Sequence, residues 1–395
     1  MKIAFWINNS GFRHLDCSEI LKGNPGIGGS EFSALLIAGS LSMRGIETLI
    51  LCNAKGKFSS KQKYYVCADL ASACRYVKNN KFDFFVIDSR SISESILLAF
   101  PSIRFIAWAN CFIDDWMNIV FPKYPNLVKF VNVGKEQCRL CNNMPIASKS
   151  TYIFNAVPTE ILNEIAIIPF EKRNNNVVYI GSLHKAKGFH LLAKGWAKVL
   201  ESVPDAELYV IGSGKLYSRK CKLGKWNIAN EEYEAYFMKY LEDNGTILPS
   251  VHFLGIMGKE KYQILNQCKV GVPNPSGVSE TFGFTAVEMQ MMGCKVTTIL
   301  CPGYEDTVYD KEDLYNNPDN LPEYIIKLLR QKRNEADIYK FIERFSVDNI
   351  TNQWVNLFES LLNVSIHKFN KTSWAYIYNN ILLYLKTLKH IIRKS

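Results

Sequence analysis

The chain alternates short apolar runs with helix-patterned stretches, breaks off, and then starts the same alternation again. Lys2–Ile7, Ile46–Cys52, Asp83–Asp88, Ile103–Ala109 and Val128–Val133 are short and largely apolar, as strands covered on both faces are. Between the first two, Ser30–Arg44 places Phe32, Leu35, Leu36, Ala38 and Met43 at helical spacing and stops at Gly45. From Pro158 to Asn176 the pattern gives way to turn formers and charges. Val177–Ile180, Ala206–Ile211, Val251–Leu254, Lys269–Pro273 and Lys295–Leu300 then read as strands, with helices over Phe189–Leu200 and about Gly283 to Met292. From Leu321 the pattern is helical. Strands separated by helices pair in parallel through crossovers. The expectation is an α/β chain of two doubly wound, Rossmann-like domains facing across a cleft, with a boundary near residue 158. Ligands of such sheets bind beyond the carboxyl ends of the strands.

Composition narrows the class. With 395 residues the chain exceeds one ordinary core, and 48% hydrophobic against 21% charged residues is globular rather than disordered. No apolar run is long enough to span a membrane. The start, Met1-Lys-Ile-Ala-Phe-Trp-Ile, turns polar too soon for a signal peptide and reads as a first strand. Eleven cysteines without a secretion signal read as reduced, cytosolic thiols. A net charge of +10 favours anionic partners such as nucleotides, phosphate esters or acidic lipid. Nucleic-acid binding rests on that charge alone and is not expected.

Three motifs carry chemistry. The first is Ser279-Glu-Thr-Phe-Gly-Phe-Thr-Ala-Val-Glu288, closed by Gly293. Glu280 precedes a helix start, and Glu288 lies about two turns in and leans back toward that start. Free N–H groups and the helix dipole make this end a seat for phosphate. A carboxylate repels phosphate but accepts two hydrogen bonds, which suits vicinal diols of a ribose or hexose. An exposed Glu followed by an ordinary helix Glu is an equal reading of the spacing alone. The second motif is Gly26-Ile-Gly-Gly-Ser-Glu31, a glycine loop entering the first long helix; Gly28 and Gly29 permit close backbone approach. Its spacing is not a dinucleotide fingerprint, and it also reads as a flexible surface loop. The third is Tyr179-Ile-Gly-Ser182-Leu-His184-Lys185-Ala-Lys187-Gly188, a basic turn at a strand end with Ser182 and two lysines available to phosphate. A solvated turn is its bland reading.

Weaker signals exclude more than they suggest. Cys138-x-x-Cys141 has no second pair and no nearby His, so it reads as two small apolar residues on a helix face. No Asp-x-Asp occurs, so a metal-held diphosphate is not indicated and no metal or other cofactor is expected. In the tail, Trp374, Ile377, Tyr378, Ile381, Leu382, Leu385, Leu388, Ile391 and Ile392 form an apolar stripe flanked by Lys386, Lys389, Arg393 and Lys394. Such a helix suits an anionic membrane surface or packs back on the protein.

Taken together, the motifs resemble those of retaining glycosyltransferases of family 4, which have the GT-B fold. The resemblance spans nearly the whole chain. It rests on Gly28-Gly-Ser-Glu31, Asn155-Ala-Val157, Tyr179-Ile-Gly-Ser-Leu with Lys187-Gly188, Val251-His-Phe-Leu-Gly255, Pro275-Ser276, Glu280-x₇-Glu288, and Phe345-Ser346 with Trp354. It implies an N-terminal acceptor-side domain over 1–157, a nucleotide-sugar domain over 158–365, and a last helix, about 366–395, that packs back on the first. It implies Glu280 on hydroxyls of the transferred sugar, Glu288 on the ribose, and Lys187 on the diphosphate with amides near Gly283, Phe284 and Thr285. Gly28 and Gly29 approach the donor from the first domain, and Leu254–Met257 faces the base. Two positions depart. Ser182 stands where the family usually has Arg. Asn110 stands where many members carry a His, and can bind but not act as acid or base; Asp114 and Asp115 are candidates for acceptor contact. With Glu280 and Lys187, Asn110 completes the set expected around the reacting groups.

The expected activity is transfer of a sugar from a nucleotide-diphosphate sugar to an acceptor hydroxyl on a glycan or lipid-linked acceptor. The setting implied is bacterial polysaccharide, lipopolysaccharide or capsule assembly, in the cytoplasm or peripheral at the inner face of the plasma membrane. A nucleotide-sugar epimerase on the same fold, an NAD-dependent oxidoreductase and a catalytically silent assembly partner are the alternatives. The first lacks a clear His, and the second lacks the glycine spacing.

Overall fold

The computed structural model describes residues 1–216, 222–331, 337–363, 381 and 385. They form two compact units, each built on a parallel sheet. The first sheet contains β1 (Lys2–Ile7), β2 (Glu47–Cys52), β3 (Tyr64–Val66), β4 (Phe84–Asp88), β5 (Phe105–Ala109), β6 (Leu127–Asn132) and β7 (Ser150–Tyr152), with helices α1 (Gly29–Met43) and α2 (Leu70–Asn79) among its connections. The strand order is β3-β2-β1-β4-β5-β6-β7, and every pairing is parallel. Ile3 lies between Thr48 on one side and Phe84 on the other. The sheet is covered on both faces, so β4 and β5 run as unbroken apolar stretches rather than alternating ones. The sequence does not signal β3 and β7. Each is a three-residue edge strand, too short to show a period and partly solvated.

The second sheet contains β8 (Asn176–Ile180), β9 (Glu207–Ile211), β10 (Val251–Gly255), β11 (Val270–Gly271) and β12 (Lys295–Val296), in the order β10-β9-β8-β11-β12, again all parallel. Helix α3 (Phe189–Ser202) buries Phe189, Leu192, Ala193, Trp196 and Val199, one face at helical spacing. Helix α4 (Phe284–Met291) begins after Gly283, and α5 (Leu321–Arg330) buries Ile325, Leu328 and Leu329. The two sheets share one topology. From its first strand the chain moves outward twice to one side, then returns to the other side of that strand. The switch points therefore fall between β1 and β4, and between β8 and β11.

The units do not follow the expected boundaries. The second comprises Leu21–Gly29 and Val157–Ser346, while the last described helix, α6 (Val347–Leu362), belongs to the first rather than to a domain running to 365. Aromatic packing accounts for α6: Trp354 meets Trp108 of β5 with centroids 4.8 Å apart, and Phe358 meets Phe84 of β4 at 5.5 Å. Arg44 adds an ion pair to Asp348 at 2.7 Å. At the joints of the second unit, the Val157 N–H donates to the Phe345 carbonyl at 2.8 Å, and Val157 bridges Ser346. The expected helix over 366–395 lies outside the described residues apart from Ile381 and Leu385. Among the described residues no helix is long and apolar enough to cross a membrane.

Trp354 is wholly buried at the α6–sheet contact. Trp354→Ala should therefore cost ~3–5 kcal/mol of first-unit stability, as truncation of a large core aromatic does. Urea unfolding followed by aromatic-region circular dichroism measures it.

Candidate active site

In the second unit the basic turn and the helix start meet at the switch point. The chain leaves β8 at Ile180 and makes a single 3-10 turn over Lys185–Lys187, capped by His184 Nδ1 accepting from the Ala186 N–H at 3.3 Å. Gly188 follows with φ +68°, and a Cβ there would lie 2.6 Å from the Ser276 nitrogen. Only glycine meets both demands. The loop after β11 is fastened to this turn: Ser276 Oγ donates to the Ala186 carbonyl at 2.6 Å. Across the joint, Lys187 Nζ reaches Glu280 Oε2 at 2.9 Å, and Asn274 Nδ2 donates to the same oxygen at 2.8 Å. The pair is partly open, with side-chain exposures of 27% for Lys187 and 16% for Glu280.

Helix α4 starts beside this pair. Gly283 holds φ +83°, and a Cβ there would strike the Tyr304 ring at 2.7 Å. Phe284 and Thr285 follow as its first two residues. N–H groups in a first turn have no intrahelical acceptor and suit an anion. The glycine loop belongs here too, not to the first domain as expected. Asn24 Oδ1 accepts from the Gly26 and Ile27 N–H groups at 2.9 and 2.8 Å. A Cβ on Gly29 would lie 3.2 Å from the Phe284 ring, and one on Gly26 would lie 2.7 Å from Ile256. Gly28 thus stands between contacts to α4 and to the segment Leu254–Met257, where Leu254 and Ile256 are exposed.

Glu288 occupies a different environment from Glu280. It is buried on α4, with Oε1 2.7 Å from Lys261 Nζ and accepting from the Tyr262 hydroxyl at 2.8 Å. Burial, then the Glu288 charge, pushes the Tyr262 hydroxyl well above its usual range. Neither partner is legible in the sequence, because Lys261 and Tyr262 belong to no motif and lie far from Glu288 along the chain. Oε2 of Glu288 has no partner among the described residues and remains an acceptor for a hydroxyl. Ser182, in the usual Arg position, is buried with its hydroxyl 3.5 Å from the Ser213 carbonyl. Lys187 is the cation the turn does place beside Glu280.

In the first unit, Asn110 follows β5 and lines a cavity of about 390 Å³ at the β1–β4 switch point. Trp6, Asn8, Glu31, Asp88, Arg90 and Trp108 line it as well. Asp88 ends β4 and accepts from the Arg90 N–H at 3.0 Å. Burial raises its carboxyl, against hydrogen bonds and charge from Arg90 and a hydrogen bond from the Asn110 side chain. Burial likewise raises Glu31. Asn155 Nδ2 donates to Asn110 Oδ1 at 3.3 Å, which turns the Asn110 amide nitrogen toward Asp88. Asp114 and Asp115 are exposed and absent from the lining. Cys138 lies on a short helix over Lys135–Leu140 and Cys141 caps its end rather than sharing its face, and burial raises both thiols. Among the described residues no cluster of His, Cys, Asp or Glu could hold a metal ion.

Residues 174–331 match the family model described as Glycosyl transferases group 1, which supports a glycosyltransferase. No curated protein sequence matches the chain. Among solved structures, AviGT4, a glycosyltransferase involved in avilamycin A biosynthesis, is 13% identical, with 92% of this chain and 99% of that chain covered at a TM-score of 0.61. A structure described as trehalose-6-phosphate from E. coli bound with UDP-2-fluoro glucose is 11% identical, covering 92% and 100% at 0.61. The pneumococcal O-GlcNAc transferase GtfA, in complex with UDP and GlcNAc, is 14% identical; 74% of this chain matches at 0.54, spanning 60% of that chain's length. These likenesses establish the two-domain GT-B fold.

The Lys261–Glu288 pair gives a direct test of the buried site. Lys261→Met leaves a buried carboxylate without its cation and should cost ~3–5 kcal/mol. Lys261→Met combined with Glu288→Gln should recover most of that loss, read as a double-mutant cycle in urea unfolding.

Proposed function

We propose that the protein is a retaining glycosyltransferase that moves a sugar from a nucleotide-diphosphate sugar to an acceptor hydroxyl. The observation that carries this reading is Lys187 and Glu280, 2.9 Å apart beside the start of α4 at a switch point. A cation and a helix start suit a diphosphate; a carboxylate beside them suits sugar hydroxyls. The match of residues 174–331 to a glycosyltransferase family model supports it from the sequence side.

In this reading Lys187 and the amides of Phe284 and Thr285 receive the diphosphate, and no metal takes part. Glu280 exchanges its bond to Lys187 for the sugar hydroxyls as the donor enters. Glu288 Oε2 accepts from the ribose. Gly28 and Gly29 let the backbone approach the donor. The C1–O bond to the diphosphate breaks through an oxocarbenium-like state, and the leaving group's growing charge is met by donors already in place. The acceptor oxygen bonds to C1 on the same face, and its proton passes to the departing diphosphate oxygen. No side-chain base is then needed, which accommodates Asn110 in place of a His. An acceptor from bacterial polysaccharide, lipopolysaccharide or capsule assembly, and a peripheral membrane setting, belong to the same proposal; the +10 charge is their support.

Calorimetry with UDP, GDP, ADP and NAD tests the donor site. One nucleoside diphosphate should bind, and Lys187→Ala should weaken it ~10- to 100-fold, the worth of one charge-assisted hydrogen bond. Binding of NAD alone would overturn the proposal. Glu280→Gln should lower kcat ~100-fold or more while nucleotide affinity changes little; unchanged kcat would remove Glu280 from the sugar contact.

A further inference from the structure

The loop after β11 carries Glu280 on a turn that the backbone does not favour. Ser279, the residue before it, holds φ +56°, in the left-handed region that a non-glycine residue enters at a cost. Val278 and Ser279 are exposed, so no core packing imposes that conformation. A single buried side chain ties the turn on both sides of it. Asn274 is 3% exposed and stands at the root of the loop. Its Nδ2 donates to the Val278 carbonyl at 3.3 Å and to Glu280 Oε2 at 2.8 Å. The two bonds straddle Ser279 and commit both protons of the amide.

The reverse orientation of that amide is excluded, since it would set Oδ1 against a carbonyl and a carboxylate, both acceptors. In the orientation present, Oδ1 lies 2.8 Å from Ser276 Oγ, whose one proton is shared with the Ala186 carbonyl at 2.6 Å. The Asn274 backbone carbonyl accepts from the Gly277 N–H at 3.0 Å. Asn274 is therefore fixed without help from a ligand. The bonds close a ring that runs from Ala186 to Ser276, to Asn274, to Glu280 and back to Lys187, the neighbour of Ala186.

Within this ring the two holders of Glu280 are unequal. Lys187 is charged and partly exposed, and in the donor reading it turns to the diphosphate. Asn274 is neutral and buried, with its protons already spent. Once Lys187 turns away, a carboxylate on an exposed, left-handed turn has no fixed direction unless the second holder remains. With Asn274 in place, Oε2 stays where it is and the group rotates about that point. The other oxygen, Oε1, has no partner among the described residues and is the one presented.

We infer that Asn274 is a positioning residue, the pivot on which Glu280 turns from Lys187 to the sugar, and that it acts on the chemical step through Glu280. The part played in sugar transfer rests on the glycosyltransferase reading; the clamp on the turn from Val278 to Glu280 does not. Alignment of a group at the reacting centre is felt in turnover. Loss of the pivot therefore shows in kcat, not in nucleotide affinity, which Lys187 and the start of α4 supply.

The test measures release of nucleoside diphosphate by the full-length protein from UDP-glucose, UDP-N-acetylglucosamine, GDP-mannose and ADP-glucose, with water as acceptor, and nucleotide affinity by calorimetry. Asn274→Ala should lower kcat ~100-fold, as a misplacement of about 1 Å does, and leave nucleoside diphosphate affinity within ~3-fold. In a Glu280→Gln background the same substitution should cost less than ~3-fold, because residues that act as a unit are not additive. The full loss in that background, or nucleotide affinity that falls along with kcat, would overturn the inference. Urea unfolding reads the clamp separately. Asn274→Ala should lower the midpoint, and lower it less in a Glu280→Ala background, where only the Val278 bond is left to lose. Ser279→Gly should recover part of the midpoint but none of the kcat, since glycine holds φ +56° unaided and cannot aim Glu280. Equal falls of the midpoint in both backgrounds would remove the clamp. If none of the four donors is turned over, the unfolding cycle decides the clamp; if in addition no nucleoside diphosphate binds, it is the donor reading that falls. Should Asn274→Ala not fold, Asn274→Asp keeps the shape of the side chain, removes both donors and carries the same comparison.

Discussion

A parallel sheet covered on both faces has nowhere to expose a polar group except at its strand ends, and this constraint organises the whole chain. Strands such as β4 and β8 are apolar except at one end, Asp88 and Asn176, since either face meets helices. Side chains with chemistry are displaced to the loops, and at a switch point neighbouring loops diverge and leave room between them. The chain meets the constraint twice with one topology. In the second unit the space is walled by a cation, a carboxylate and a helix start. In the first it is walled by two carboxyls, amides and aromatic rings. Identical architecture thus carries different electrostatics, set by residues at the strand ends, in the connecting turns and at the helix starts.

The two carboxylates of Glu280-x₇-Glu288 show how depth separates roles within one motif. Glu280 shares its oxygen with Lys187 and Asn274 in a partly solvated setting, where bonds exchange at little cost. Glu288 is tied to Lys261, and both side chains are nearly sealed from solvent. A sealed ion pair resists rearrangement, because parting it strands a charge in a low-dielectric interior. Glu288 therefore fixes the frame of α4 with one oxygen and offers the other, while Glu280 is the member free to move. The tertiary contacts of α4 reinforce this: Thr307 Oγ1 donates to the Phe282 carbonyl at 2.8 Å, and Gln290 Nε2 to the Thr307 carbonyl at 2.7 Å.

Much of this was legible in the sequence where a local rule applied. The two sheets followed from apolar runs, and the helix after Gly283 from its spacing. The resemblance gave Lys187 to the diphosphate and Glu280 to the sugar without pairing them, and the structure sets the two side chains 2.9 Å apart across more than ninety positions of chain. What escaped had no local signature. Lys261 and Tyr262 belong to no sequence motif, and only folding brings them to Glu288. Asp88 closes an apolar strand and is followed by unremarkable polar residues, so its place in a cavity depends on Glu31 arriving from the start of α1 and Asn110 from the end of β5. The glycine loop was expected to approach from the first domain but belongs to the second unit, since connectivity says nothing about which neighbour a loop packs against. The same holds for α6, whose Trp354 and Phe358 mark a core without naming it.

The pairing of Val157 with Phe345 and Ser346 brings the two ends of residues 157–346 into one seam, as in an inserted cassette. Heredity can shuffle such a cassette, because two neighbouring joints are all that must be preserved. Here the seam is incomplete. Leu21–Gly29 is a stitch from the opposite end of the gene, with Lys22 reaching Glu164 at 3.7 Å and Gly23 lying against Tyr262. An exchange of residues 157–346 alone would therefore leave behind one strip of the transplanted surface. The lineage can vary residues 157–346 separately from the rest only to the extent that this early strip tolerates each new cassette.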